Sequence, residues 1–249
     1  MILAKASFKL QLRSPKLFLL SFLTPLAYTV IFLIQITLNY TMVAAPFINL
    51  SLGQYLVVFF ALQATVFMAF DQSQRFVAKE ILSGGFDYML IRPINLFYFK
   101  YFRVPSLHSL LMVVFYVTAT IVTAIAYKIP TRTAIQIVVF AFFAGFVIVN
   151  IRSGMRGLVF FLRDILNTSR VEESMNIFVI NKPPEVFPLF LKTMLTLIFP
   201  FVVVHNNAFD LIRGQNVLIL FSLLVVWALV AVTFNKTVWH FGLKRYESG

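Results

Sequence analysis

Long uncharged apolar runs alternate with short charged islands along this chain. The first run, Leu17 to Leu38, holds 22 residues and one proline, Pro25. An uncharged connection, residues 39–53, leads to the second run, Gln54 to Phe70. At about 1.5 Å per residue that run only just crosses a hydrocarbon core of about 30 Å. Val104 to Tyr127 is the third run, and a tight turn over Lys128-Ile129-Pro130-Thr131-Arg132 precedes a fourth that begins near Thr133. Two ends fit the fourth run. In one it stops at Ile151, Arg152 to Gly157 turns, and Leu158 to Leu162 dips back. In the other the helix continues to Phe161 and carries Arg152 and Arg156 on one face. The last run is Asn216 to Phe234. Segments this long predict helices, because the strands of a membrane barrel alternate over only about ten residues.

Between the fourth and last runs the pattern is irregular. Ile165 to Ile180 must cross if the topology is to close, yet it holds Arg170, Glu172 and Glu173. Charges at membrane depth usually face a bundle interior or a wet cavity. Arg170 can reach Glu173 at i, i+3, whereas Glu172 lies about 200° round the helix from Arg170. One reading makes this span the wall of a hydrated cavity, with Arg170 or Glu172 facing a substrate path. The other makes residues 163–176 a surface helix, with the span starting near Met175. Beyond Lys182-Pro183-Pro184-Glu185, the stretch Val186 to Val204 is broken by Pro188 and Pro200. It reads as re-entrant or broken helices, and His205 to Gln215 reads as a polar loop, so 183–215 forms an outer re-entrant region. Residues 1–16 carry Lys5, Lys9, Arg13 and Lys16 on one face, as an interfacial helix does. Residues 235–249 form a basic tail.

One charged island is of another kind. Lys79 to Pro93 sits between two membrane-length runs and must lie at the membrane surface. Gly84-Gly85 allows a sharp turn without a Cβ penalty, and Arg92-Pro93 ends any helix. Phe86 to Ile91, between the breaks, is too short to be a stable helix alone. It is ordered only by docking, which is the form of a contact element offered to a partner.

Composition sharpens the class. Of 249 residues 60% are hydrophobic and 12% charged, and mean hydropathy is +0.89. Soluble domains carry about 25% charged residues, so this is an all-α integral membrane protein of six spans. The net charge of +12 does not imply nucleic acid, because Lys and Arg gather at the ends of the apolar runs. Fifteen of them fall in segments assigned to the cytosol and five outside, the bias expected of a multi-pass protein with both termini cytosolic, held against anionic lipid. No cysteine is present, which excludes disulfides and thiolate metal sites.

Catalytic patterns are missing too. The sequence has no G-x-x-x-x-G-K-[ST], no H-E-x-x-H and no G-x-S-x-G, and His108, His205 and His240 have no metal-ligand spacing. No metal site and no cofactor of its own is expected. Ala141-x-x-x-Gly145 is a small-residue pair of the kind that lets two helices approach. The whole is what the membrane half of an ATP-driven transporter should look like.

The motif Glu80-x-x-Ser83-Gly84-x-Phe86-Asp87-x-x-Leu90-Ile91-Arg92-Pro93-Ile94-Asn95 resembles the cytosolic loop after the second span in ABC-2 type permeases. Phe187-Pro188, Phe199-Pro200-Phe201 and the tail Trp239-x-x-Gly242-Leu243-Lys244-Arg245-Tyr246-Glu247-Ser248 are similar to the small six-span bacterial branch. The charged Ile165 to Asn176 departs from that branch's apolar fifth span. The resemblance implies a single permease domain over 1–249 in a bacterial cytoplasmic membrane, with a coupling loop at 71–103. It implies a second permease, identical or paralogous, and a P-loop ATPase subunit that binds ATP and Mg. The coupling helix would lie at 84–91, with Glu80, Gly84, Gly85, Phe86, Asp87, Leu90, Arg92 and Pro93 in the coupling site, Phe86 and Leu90 as apolar anchors and Glu80 orienting the turn. The resemblance also implies an amphipathic substrate, usually exported in the wider family. Two other functions compete. An ion- or proton-coupled secondary transporter could use Arg170, Glu172 and Glu173 as a relay, although no internal repeat is visible. A lipid-directed membrane enzyme lacks a nucleophile, base or metal constellation.

Overall fold

Helices account for nearly all of the described chain. The structure, a computed structural model, describes residues 15–41, 50–68, 71–90, 107–162, 187–191 and 200–246. α1 is Pro15–Asn39, α2 Leu52–Met68, α3 Asp71–Leu82 and α4 the four-residue Asp87–Leu90. α5 is Leu107–Ala126, α6 Thr131–Gly157 with a 3-10 turn over Leu158–Phe160, α7 Pro200–Ile212 and α8 Val217–Arg245. Among the described residues three helical stretches are long and apolar enough to cross a membrane: Ser109–Ala126, Thr131–Phe160 and Val217–Arg245. Leu52–Met68 is a shorter apolar helix.

Local chemistry sets several of these ends. Ser51 and Gln54 cap α2 reciprocally: the Gln54 amide donates to Ser51 Oγ (3.3 Å) and the Ser51 amide to Gln54 Oε1 (2.9 Å). The third run turns at Tyr127-Lys128, where Lys128 takes φ +54°, and Pro130 opens α6. Asn216 caps α8 by accepting from the Leu218 amide at 3.0 Å.

α6 is the hub, packing on α2, α5, α7, α8 and the end of α3. α2 is buried nearly all round, with Val57, Val58, Phe59 and Ala64 almost solvent-free, as expected of an interior helix. Its close approach to α6 uses the predicted small-residue pair: Ala141 is buried, and a Cβ on Gly145 would stand 2.8 Å from Met68 Sδ. α1 meets α5 through a buried hydrogen bond between the Thr29 and Tyr116 hydroxyls (2.6 Å). The outward faces of α5, α6 and α8 are apolar and exposed, including Val114, Ile125, Phe142, Val226 and Leu229. Lipid covers such faces in a spanning helix.

The second reading of the fourth run holds. α6 continues through Arg152 and Arg156, both buried one turn apart, and reaches Phe160 through the 3-10 turn. Two expectations are corrected. His205 to Gln215 is not a polar loop, because α7 runs to Ile212 and buries Val204, Ala208, Phe209 and Leu211. His205 and Asn207 mask a helical apolar period, and Pro200 fits a first-turn position where no amide is needed. The last helix does not stop at Phe234, where the basic tail is expected to begin. α8 continues to Arg245 and buries Asn235, Val238, Trp239 and Gly242 against α6 and the 3-10 turn. No proline interrupts it, and the side toward α6 stays small or aromatic. Of the interfacial helix expected over residues 1–16, residues 1–14 lie outside the described residues and Pro15 and Lys16 open α1; the charged segment 163–186 also lies outside them.

Small residues set the α6–α8 spacing. A Cβ on Gly154 would stand 2.5 Å from the Phe234 ring, and one on Gly242 would collide with Phe160. Gly154→Ala and Gly242→Ala are each expected to destabilise the chain by about 1–3 kcal/mol through overpacking. Gly85→Ala, whose Cβ would meet only ordinary contacts at 3.5 Å, stays within about 0.5 kcal/mol. Thermal unfolding of the detergent-purified chain checks the ordering; equal effects at all three positions would refute this close-approach seam.

Candidate functional site

At its basic end, the α6–α8 pair carries hydrogen bonds as well as small residues. Asn235 Nδ2 donates to Asn150 Oδ1 (2.9 Å), Ser153 Oγ donates to Asn235 Oδ1 (3.1 Å), and Trp239 Nε1 donates to the Ser153 carbonyl (3.0 Å). Asn150 Nδ2 closes the chain on the Phe146 carbonyl at 2.9 Å. All of these side chains are buried. In apolar surroundings an unmade polar contact is costly, so the network fixes one register between the two helices.

Below this seam, α3 and the turn after it pack on the ends of α6 and α8. Val77, Ala78, Ile81, Phe86, Val159 and Trp239 form one buried cluster. The turn depends on Gly84, which takes φ +74°, a conformation costly to any residue with a Cβ. The Glu80 carbonyl then accepts from the Phe86 amide (3.2 Å) and from Ser83 Oγ (3.3 Å). The Glu80 carbonyl thus closes the turn from its N-terminal side.

The turn drives Phe86 inward. Its ring meets Tyr246 edge-on at 5.4 Å and Phe160 at 6.0 Å, and Phe160 in turn meets Trp239 edge-on at 5.4 Å. Edge-on pairs contribute about 0.5–1.5 kcal/mol each beyond burial. The Tyr246 hydroxyl is buried and makes no regular hydrogen bond among the described residues. Burial first, and then the neighbouring Asp87 carboxylate, hold its phenol above the ordinary tyrosine range, so it stays neutral.

Of the residues named from sequence, Glu80, Gly84, Gly85, Phe86, Asp87 and Leu90 are gathered in this element. Phe86, expected as an outward anchor, is fully buried within its own chain. Leu90 is about half exposed, and Tyr88, which the sequence reading did not single out, is 71% exposed. These two form the outward apolar surface of α4. Arg92, Pro93, Arg170, Glu172 and Glu173 lie outside the described residues. Phe160, Trp239 and Tyr246 were also missed as site residues. Their signal was present: a tryptophan and a tyrosine seven residues apart lie where the apolar run gives way to basic residues. No group of three or more His, Cys, Asp or Glu able to hold a metal occurs among the described residues.

The family model described as ABC-2 family transporter protein matches residues 23–249 of the chain. No curated protein and no solved structure matches it.

Phe86 is the residue on which the order of α4 rests. Phe86→Ala is expected to cost about 3 kcal/mol, the usual loss for a fully buried ring. Tyr88→Ala should cost no more than about 0.5 kcal/mol. Limited proteolysis after residue 79 reads the difference: rapid cleavage in Phe86→Ala alone is the expected result, and equal resistance would contradict the packing.

Proposed function

Because the chain belongs to the ABC-2 family of transporter proteins, multi-pass membrane components of ABC transporters, we propose that it is a permease subunit driven by a separate ATPase. That ATPase supplies the ATP and Mg chemistry and docks on the outward side of α4. The observation that carries the reading is α4 itself. Four residues cannot hold a helix alone, yet these are fixed by Phe86 while Tyr88 and Leu90 remain outside. A rigid element with an exposed apolar face can pass the closure of a partner into the bundle as a hinge-and-lever does. The aromatic chain Phe86–Phe160–Trp239 extends that lever to α6 and α8, beyond the spans on either side of the loop.

The finer features of the reading follow the sequence. Six spans with both termini in the cytosol of a bacterium agree with the distribution of Lys and Arg. A second permease, identical or paralogous, would complete the pathway, and its cargo would be an amphipathic molecule moved outward. Arg170, Glu172 and Glu173 remain the proposed lining of a hydrated path. Secondary transport is not favoured, since family membership points to ATP as the energy source.

Purification of the tagged chain from its native membranes should retain a P-loop ATPase. Tyr88→Ala combined with Leu90→Ala is expected to lower that retention about tenfold, the usual effect of truncating central interface side chains. Membrane insertion should be unchanged, because neither side chain is buried. Undiminished retention in the double variant would remove α4 from the docking surface.

A further inference from the structure

An apolar groove of about 520 Å³ runs along the outer side of the α6–α8 pair. Phe142, Phe143 and Phe146 form one wall, and Phe221, Val225 and Val232 lie along the other. Every residue lining it is apolar. From Phe221 to Val232 it extends about 16 Å along α8, close to half of a hydrocarbon core of about 30 Å, the depth of one leaflet.

The groove is directional. One helical turn past Val232, on the same side of α8, stands Lys236, the first charge after the apolar run. His240 and Lys244 continue from it at i+4 and i+8, and all three are exposed. Lys236 and Lys244 have no acidic partner among the described residues, and the Lys244 ammonium lies 5.9 Å above the Phe241 ring. Lysines just outside an apolar run keep their stems on hydrocarbon and their ammonium groups at headgroup level. An apolar channel about as long as one leaflet is deep thus ends one turn short of Lys236, with Lys244 two turns further on.

We propose that this groove and the Lys236–Lys244 edge form a binding site for one anionic phospholipid, with an acyl chain along α6 and α8 and the phosphate on Lys236. A second protein helix would fill the groove as well, but it would not account for the cations at its mouth. The charge complementarity selects the lipid. The site requires only that the chain spans a membrane, so it stands or falls independently of the ATPase.

Native mass spectrometry of the full-length, detergent-purified chain tests this with dioleoyl phosphatidylglycerol and dioleoyl phosphatidylcholine. The first bound phosphatidylglycerol should be retained about tenfold more strongly than phosphatidylcholine, as expected for a headgroup phosphate on Lys236 with Lys244 nearby. Lys236→Gln with Lys244→Gln should bring the two lipids to parity. Ala228→Phe, which fills the groove, should lower retention of both, whereas Val114→Phe on the exposed face of α5 should leave both unchanged. Equal retention of the two lipids by the parent chain would overturn the proposal. So would an Ala228→Phe chain that keeps its lipid but loses a dimer, which would assign the groove to a second copy. Should Ala228→Phe fail to fold, the lipid comparison and the lysine pair decide alone.

Discussion

The close contact of α6 with α8 is the constraint from which the rest of the structure follows. Lipid gives two apolar helices little hydrophobic reason to associate, so they are held by close packing and by hydrogen bonds that lipid cannot replace. Gly154, Gly157 and Gly242 bring the two helices together, and Asn150, Ser153 and Asn235 join them. Their shared register carries both helices beyond the apolar runs as one unit. Without it, residues 235–245 would lose their packing on α6, and Phe160 would lose its contact with Trp239.

That extension is the floor on which the 71–90 element rests. α3 is only twelve residues and α4 four, so neither is long enough to be stable alone. Phe86 inserts between Phe160 and Tyr246 because Gly84 turns the chain there, and the insertion leaves Tyr88 and Leu90 outward. An outward push on α4 therefore meets an aromatic stack tied by Trp239 to the Ser153 carbonyl. The proposed permease role calls for this mechanical continuity between α4 and the membrane helices.

Much of this was legible in the sequence. Runs without charge located α2, α5 and the starts of α6 and α8 to within about three residues, because membrane spans need length and apolarity more than any specific pairing. The glycine turn and the short element after it were legible from two chain breakers. The orientation of Phe86 was not. In a sequence, an apolar residue at a surface turn fits an external partner as well as an internal one, and only the ends of α6 and α8, some 70 and 150 residues later, decide between them. The far half of α8 was misread for a related reason. Lys236, His240 and Lys244 suggest a basic tail, while the buried face is marked by Asn235, Val238, Trp239 and Gly242, which no simple hydropathy pattern joins. α7 was lost because His205, Asn206 and Asn207 outweighed the apolar residues that surround them.

Hydrogen exchange on the full chain in lipid nanodiscs, comparing the parent with Trp239→Leu, tests most directly whether the 71–90 element is an outgrowth of the α6–α8 seam. The substitution removes the indole from Phe160 and its hydrogen bond from Ser153. Amides of a single cooperative unit lose protection together. The account predicts faster exchange at residues 77–90 as well as at 235–245, with 109–126 unchanged. Faster exchange confined to 235–245 would contradict it.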